Sequence, residues 1–227
     1  MHTDINRIQG SGKTGRPPEL DKTTLLNIAE ILFADRGFKG TTVREIAKKA
    51  HCNVALISYH FGSKDGLYQA IWMRYLANVR KGPLGEEPQS LELLQTEWPE
   101  LSDMDELRLC GALYTFAKNT IGNPRMQKIL FRELLSGGQK AVQALVKSEP
   151  GMLSLIGGNL NQLVKAKKLR DDFDIKIAVI SLIGPIIYSC VSGPILKSVY
   201  GFKTIDDAYA RKLVLHLTRS FFNGTIL

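Results

Sequence analysis

The chain has 227 residues, of which 44% are hydrophobic and 23% are charged, and this ordinary globular composition excludes disorder over most of its length. Its net charge of +8 favours an anionic partner. The three cysteines, Cys52, Cys110 and Cys190, lie far apart and lack CxxC spacing. This pattern argues against a disulfide framework or a zinc ribbon, and it favours a reducing cytoplasm.

The positive charge is concentrated in the N-terminal third of the chain. Residues 1–81 carry 13 Lys and Arg against 7 Asp and Glu, whereas residues 82–227 carry 17 against 15. A basic module beside a nearly neutral one is typical of a nucleic-acid reader joined to a second domain; a charge bias that serves only solubility is the alternative. Residues 1–19 lack the apolar stretch of a signal peptide and predict a flexible basic arm, which either lies in a minor groove or has no role.

Residues 20–81 show apolar positions at helical spacing and predict four helices. Glu45 lies three residues after Thr42, as in a capping box, and Gly37 is placed to end the first helix. The N-caps that the pattern predicts are Asp21, Thr42, Asn53, and either Ser63 or Asp65.

Two short predicted helices, residues 43–50 and 54–60, are joined by a three-residue turn, which is the arrangement of a helix-turn-helix. In that motif the second helix enters the major groove with its N-terminal residues at the base edges. Tyr59, His60 and Lys64 cluster near the end of this helix, where their polar groups can reach phosphate oxygens.

Residues 37–71 resemble the DNA-binding domain of the TetR/AcrR family of bacterial repressors, and the likeness extends over about residues 20–81. A weaker likeness to one subgroup of the family lies in NVALISYHFGSK and NPRMQKILFREL. The positions that carry the main resemblance are Gly37-Phe38, Thr41-Thr42, Ile46-Ala47, Ala50, Tyr59-His60-Phe61, Ser63-Lys64-Asp65 and Leu67-Tyr68.

The resemblance implies DNA contacts at the base edges and at the phosphates. Arg44 aligns with a position that reaches a base, whereas Val54 and its two apolar neighbours can touch thymine methyls but offer no hydrogen bonds. Specificity would then depend on Arg44, on DNA shape and on the N-terminal arm. His51 replaces the glycine usual in the turn and predicts a positive φ. The DNA-binding residues so implied are Thr42, Arg44, Asn53, Val54, Ala55, Leu56, Tyr59, His60 and Lys64.

A domain boundary is predicted at residues 82–88, which contain two Pro and two Gly. Beyond it the pattern is helical and shows no strand alternation, so the fold class is all-α. An N-terminal three-helix helix-turn-helix domain, residues 20–81, would precede a helical ligand-binding and dimerisation domain, residues 82–227. The helices predicted in the second domain are 103–121, 124–137, 138–148, 151–168, 172–199 and 204–223.

Residues 177–196 carry no charge and are long enough for a membrane span, but a helix buried on two sides has the same pattern. The family resemblance implies a homodimer through residues 172–199 and 204–223, which would cover this stretch without a membrane. It also implies a small-molecule pocket among the helices of the second domain, with Gly184-Pro185 breaking the long helix beside it. The candidate lining residues are Phe116, Phe131, Met152 and Tyr188, with Glu133 or Arg132 as a polar group, and each has core or surface packing as its alternative role.

The sequence therefore predicts a cytoplasmic transcriptional repressor that binds a pseudo-palindromic operator as a homodimer and is released by an unidentified small molecule. A helix-turn-helix protein without a ligand response and a membrane-associated helical protein are the alternatives. An enzyme is not expected, because the chain lacks the dinucleotide, phosphate-loop, zinc-protease and serine-hydrolase motifs. No cofactor or metal is expected, since the four histidines do not have metal-ligand spacing.

Overall fold

A computed structural model describes residues 21–81, 91–148 and 150–225, and these residues form twelve α-helices without a strand. The all-α fold class is confirmed. The predicted basic arm and the predicted boundary at residues 82–88 lie outside the described residues. The helices are α1 Lys22–Arg36, α2 Val43–Lys49, α3 Val54–Phe61, α4 Lys64–Val79, α5 Leu91–Glu97, α6 Met104–Ile121, α7 Pro124–Leu135, α8 Gln139–Lys147, α9 Met152–Lys165, α10 Ile175–Val191, α11 Gly193–Tyr200 and α12 Asp207–Thr225.

The first four helices each begin at a side chain that accepts a hydrogen bond from a backbone N–H of the first turn. At α2 the cap is reciprocal, because Thr42 Oγ1 accepts from the Glu45 N–H and Glu45 Oε2 accepts from the Thr42 N–H at 2.8 Å. Ser63, and not Asp65, caps α4 through a 3.0 Å bond from the Gly66 N–H. The caps confirmed at α1 to α4 are Asp21, Thr42, Asn53 and Ser63.

The helices α1 to α4 enclose a common apolar core, to which each contributes at least one fully buried side chain. Phe33 of α1 lies edge-on to Tyr68 of α4, with ring centroids 5.0 Å apart, and Ile46 and Ile57 bring α2 and α3 onto the same core. Between α2 and α3, His51 has a φ of 52°, so the predicted positive φ is confirmed. The core therefore holds one face of α2 and α3 inward and leaves the other face exposed.

Helix α6 is the central element of the remaining helices and is buried along most of its length. It packs against α12, α10, α9, α5 and α4. Tyr114 of α6 donates a hydrogen bond to Asp207 of α12, and the Arg211 guanidinium lies 4.5 Å from the centre of the Tyr114 ring. These polar contacts fix the start of α12 against the middle of α6.

The prediction of one continuous helix over residues 172–199 is wrong. The chain bends by 84° between α10 and α11, at Ser192. Pro194 lies in the first turn of α11, a position that requires no intrahelical N–H donor, and it therefore suits a helix start. The predicted break at Gly184-Pro185 is also wrong, since both residues lie inside α10.

Helix α5 was not predicted. It has only seven residues, too few to show a helical period, but its Leu94 is fully buried. As regards membranes, no single helix among the described residues meets the length and hydropathy of a span, and only the bent pair of α10 and α11 does so when taken together.

The N-terminal helices join the rest of the molecule through the buried carboxylate of Glu133 on α7. Its Oε2 accepts a hydrogen bond from Tyr68 of α4 at 3.2 Å. Its Oε1 accepts from the backbone N–H groups of Lys140 (2.7 Å) and Ala141 (3.3 Å). Because the N-cap of α8 is Gly138, which has no side chain, Glu133 supplies the missing cap. One carboxylate thus connects α4, α7 and α8.

Further polar contacts cross the same junction. Gln69 of α4 donates to the Lys140 carbonyl at 3.0 Å, and Arg132 of α7 donates to the Asp35 carbonyl of α1 at 2.9 Å. Deeper in the molecule, the Tyr75 hydroxyl lies 2.7 Å from Thr120 Oγ1 of α6. Burial raises the pKa values of both Tyr68 and Tyr75, so these hydroxyls keep their protons at neutral pH.

Replacing Ser63 by Ala is expected to remove the cap of α4 and to lower the free energy of unfolding by about 1 kcal/mol. Urea unfolding followed by circular dichroism measures this change. Ser58→Ala, at an exposed position inside α3, is the matched control and should stay within about 0.5 kcal/mol of the unchanged protein. Equal effects of the two substitutions would contradict the role of the cap.

Replacing Glu133 by Ala is expected to lower the free energy of unfolding by about 2–3 kcal/mol, because it leaves the Tyr68 hydroxyl and the first N–H groups of α8 without an acceptor. Glu133→Gln retains one carbonyl acceptor and should cost less. The exposed Glu92→Ala is the control, and the same unfolding experiment measures all three. A loss for Glu133→Ala no greater than that for Glu92→Ala would show that this junction does not depend on the carboxylate.

Candidate nucleic-acid interface

The helices α2 and α3 and the turn between them present a continuous exposed surface. The turn is closed by backbone hydrogen bonds, among them the bond from the Cys52 N–H to the Ala47 carbonyl at 3.0 Å. Ile46 and Ile57 are fully buried beneath it. Because two short helices share one buried side, the outward residues of both lie on a common face that can approach a DNA duplex.

Most residues predicted to face the bases are accessible at the start of α3. Val54 is 37% exposed, Ala55 is exposed, and Asn53 is exposed beside them while it accepts the capping bond from the Ala55 N–H at 2.9 Å. Leu56 differs, since it is half-buried and packs against the core. Its side chain is therefore only partly available for the base contact that the resemblance implies.

The aromatic residues at the end of α3 differ in exposure. Tyr59 is 83% exposed and has the most accessible large side chain of α3. His60 is half-buried, and its ring lies 5.2 Å from that of Tyr59 and 6.1 Å from that of Phe61. The arrangement leaves the Tyr59 hydroxyl free to meet a phosphate and gives His60 a more fixed position beside it.

Lys64, predicted as a phosphate contact, has a structural role as well. Its ammonium donates to the carbonyl oxygens of Phe38 and Thr41, both at 3.1 Å, and lies 4.3 Å from the centre of the Phe38 ring. These contacts hold the turn between α1 and α2 against the start of α4. An ammonium group has three donors, so one remains for a phosphate oxygen.

The start of α2 combines a fixed cap with accessible cations. Hydrogen bonds from the Thr42 N–H and hydroxyl, together with Arg36 at 2.6 Å, lower the pKa of the Glu45 carboxyl. The capping box therefore stays ionised at neutral pH and weakens only as the pH falls through that lowered pKa. Arg44 and Lys48 are exposed, and neither forms an ion pair within the part of the chain that the structure describes.

The structure adds Lys22 to this surface. The Lys22 ammonium, in the first turn of α1, lies 5.5 Å from the centre of the Phe61 ring at the end of α3. The two residues are far apart in the sequence, so only the general excess of positive charge could have indicated this cation. Its exposed position beside Phe61 at the end of α3 makes it a candidate phosphate contact.

The four candidate ligand residues differ in burial and do not share the wall of one cavity found among the described residues. Phe116 and Met152 are buried, Phe131 is half-buried, and Tyr188 is 56% exposed on α10. A cavity of about 410 Å³ lies instead at the break between α10 and α11, where residues such as Gln127, Cys190 and Lys197 line it. The two residues predicted as a polar group, Glu133 and Arg132, lie at the domain junction.

Among the described residues, neither a metal site nor a reactive cysteine is found. Over residues 21–81, 91–148 and 150–225, no group of three His, Cys, Asp or Glu could hold a metal ion. Burial raises the pKa of Cys110 and of Cys190 to about 12, and it also raises the pKa of Cys52. The three thiols therefore stay protonated at neutral pH and are poor nucleophiles.

The chain is similar to several known bacterial regulators. It is 52% identical to a probable HTH-type transcriptional regulator, YttP, of Bacillus subtilis (strain 168). The 60 aligned residues cover 26% of this chain and 29% of that protein. It is 30% identical over 152 residues to the HTH-type transcriptional dual regulator CecR of Shigella flexneri, which covers 65% of both chains. Thus the match spans less than a third of the Bacillus relative.

A solved structure extends the likeness to the whole fold. The transcriptional regulator FadR from Bacillus subtilis, determined in complex with stearoyl-CoA, has a TM-score of 0.63 at 14% identity, covering 87% of this chain and 98% of that one. At this identity the similarity establishes the fold. Residues 25–71 match the family model for bacterial regulatory proteins of the tetR family. The helix-turn-helix and the all-α fold agree with this match, so residues 25–71 form a module of the tetR-family type within an all-α chain.

Proposed function

We propose that the protein is a transcriptional regulator that binds a pseudo-palindromic operator as a homodimer and represses transcription until a small molecule releases it. The relatives of the chain support the general part of this proposal, since they are transcriptional regulators. The observation that carries it is the exposed face of α2 and α3, in which accessible cations and Tyr59 surround the start of a helix of suitable size for the major groove. We further propose residues 20–81 as the DNA-binding domain and residues 82–227 as the regulatory domain, in the cytoplasm.

The proposed DNA contacts divide into two groups. Phosphates would be bound by hydroxyl, imidazole and ammonium groups, which position the domain, while Arg44 and the apolar start of α3 would meet the base edges. Because the apolar residues give no hydrogen bonds, sequence selectivity would come from Arg44 and from DNA shape. The proposed phosphate contacts are Thr42, Tyr59, His60 and Lys64, with Lys22 and Lys48 added from the structure.

An exposed apolar face on α10 supports the proposed dimer. Ile177, Ile180, Tyr188 and Val191 recur at helical spacing on this face, and each is more than half exposed. Apolar surface of this extent is unusual unless a partner covers it. On α12 the large apolar residues are buried or half-buried within the chain, and the exposed positions are largely polar. We therefore assign the main part of the proposed interface to α10, and a smaller part to α12.

The proposed release by a ligand is a population shift between two arrangements of the domains. A coupling free energy of about 1–3 kcal/mol would give roughly 5–150-fold weaker operator binding. The cavity at the break between α10 and α11 is a candidate effector site, because residues of α7, α10 and α11 line it together. The neighbour of known structure that holds stearoyl-CoA makes a long-chain acyl-CoA a reasonable first test ligand.

Binding to the DNA that flanks the gene for this protein tests the DNA-reading part of the proposal, with fluorescence anisotropy recorded at several salt concentrations. Tyr59→Ala is expected to weaken binding about tenfold through the loss of a phosphate contact. Lys48→Gln is expected to weaken binding to all duplexes alike. It should also reduce the slope of log affinity against log salt concentration by about 1. The exposed Lys147→Gln of α8 is the matched control and should change neither quantity. Weak binding that every duplex shares, and that Tyr59→Ala does not alter, would exclude a sequence-specific reader.

Light scattering coupled to size-exclusion chromatography tests the dimer. The unchanged chain is expected to run as a dimer at micromolar concentration, and Ile180→Glu is expected to shift it to monomer by placing a charge in an apolar interface. Val146→Glu replaces a similarly exposed apolar residue on α8 and should leave the dimer intact. A monomeric unchanged chain, or dissociation by Val146→Glu alone, would contradict an interface on α10.

A further inference from the structure

A cavity of about 530 Å³ lies where the N-terminal helices meet α7 and α8. The end of α1 and the following turn contribute Arg36 and Lys39 to its lining, and the other side contributes Arg132 and Lys140. The buried carboxylate of Glu133 is the single acidic group among the residues found to line it. The lining therefore carries four positive charges against one negative charge, and the cations come from both sides of the junction.

Two of these cations are not neutralised within the part of the chain that the structure describes. Arg36 pairs with Glu45, and Lys140 pairs with Asp65. Lys39 is exposed and has no ion-pair partner in the described ranges. Arg132 donates to the Asp35 carbonyl oxygen at 2.9 Å, but no described carboxylate pairs with it. A guanidinium and an ammonium thus face the cavity with donors to spare.

The backbone also shapes this cavity. Gly37, at the end of α1, has a φ of 74°, and a Cβ placed on it would lie 3.5 Å from both Cδ and Nη1 of Arg132. The Arg132 side chain therefore passes close to the glycine, and its hydrogen bond to the Asp35 carbonyl oxygen holds the guanidinium at this place. Phe38 and Tyr68 form the apolar part of the wall.

The negative charge of Glu133 does not cancel the attraction of the cavity for an anion. Both of its oxygens already accept hydrogen bonds, from the Tyr68 hydroxyl and from two backbone N–H groups of α8. These donors, together with the positive end of the α8 dipole, balance its charge locally. The remaining positive potential in the cavity comes mainly from Lys39 and Arg132, since carboxylates pair with the other two cations.

We propose that this cavity binds a small molecule that carries one or two phosphate groups, held mainly by Lys39 and Arg132. A phosphate ester has the negative charge to match several cations, and its oxygens suit the planar fork of an arginine. A ligand there would contact both domains at once and so would favour one arrangement of the two. The binding does not depend on the proposed function, whereas an effect on operator affinity would rest on it.

A DNA phosphate is the other source of the same chemistry. The cavity, however, has a wall from α7 and α8, including Leu135, Ser136 and Gln139, which lie outside the helix-turn-helix. A separate pocket for a small anion explains this composite lining better than a continuation of the DNA surface does. The experiment therefore uses the full chain without DNA.

Titration calorimetry with pyrophosphate at low salt tests the proposal, with inorganic phosphate and acetate as comparison anions. Saturable binding at one site per chain is expected, with pyrophosphate bound more tightly than phosphate and acetate weakest. Lys39→Gln and Arg132→Gln should each weaken pyrophosphate binding about tenfold, as expected for one charge-assisted hydrogen bond. Lys147→Gln, outside the cavity, should leave it unchanged, and thermal unfolding followed by circular dichroism checks that each variant is folded.

Lys48→Gln separates this cavity from the DNA surface, because it removes a cation of α2 that is not part of the lining. Unchanged pyrophosphate binding in this variant supports the cavity. Absence of saturable binding, equal binding of acetate, or a loss in Lys48→Gln as large as that in Arg132→Gln would overturn the proposal. If pyrophosphate binds as expected while operator binding fails, the proposed function falls and the anion site stands.

Discussion

Where the N-terminal helices meet α7 and α8, the buried carboxylate of Glu133 requires hydrogen-bond donors from neighbouring helices. A carboxylate out of contact with water is tolerated only where donors surround it, and here the donors come from α4 and α8. These bonds connect α4, α7 and α8 beside the cavity lined by Arg132 and Lys39. The packing of α1 against α7 and of α4 against α6, together with a hydrogen bond between the helices of each pair, completes the junction.

Local contacts within α1 to α4 also fix the exposed surface of α2 and α3, which is the surface proposed to bind DNA. Each short helix begins at its own side-chain cap, so α2 and α3 keep their geometry although neither has more than eight residues. Lys64 ties the turn between α1 and α2 to α4 and still has one donor available. The same lysine can therefore stabilise the domain and bind a phosphate.

The differences between the predicted and the observed structure have local causes. The uncharged apolar pattern within residues 172–199 predicts a long helix, and the break was expected at Gly184-Pro185, but the pattern does not show where the chain turns. The packing of α10 against α6 and α9 allows Pro185 within a helix and leaves Pro194 at a helix start. Similarly, Leu56 was predicted to contact a base because its side chain is apolar. In the structure this side chain is half-buried because it packs against the core beneath α3.

The amino-acid sequence alone determined the all-α class, the helix-turn-helix, the N-caps of α1 to α3 and the positive φ of His51, because these features depend on residues within a few positions of one another. Only the tertiary structure decided that Ser63 caps α4, that Lys22 lies beside α3, that Glu133 joins α4 to α8, and that cations near α1, α7 and α8 line one cavity. These residues are distant along the chain, and their contacts arise from the packing of helices whose pairing is not encoded in any local pattern. The candidate effector residues belong to the same class, since a pocket is a property of several packed helices and not of one helical face.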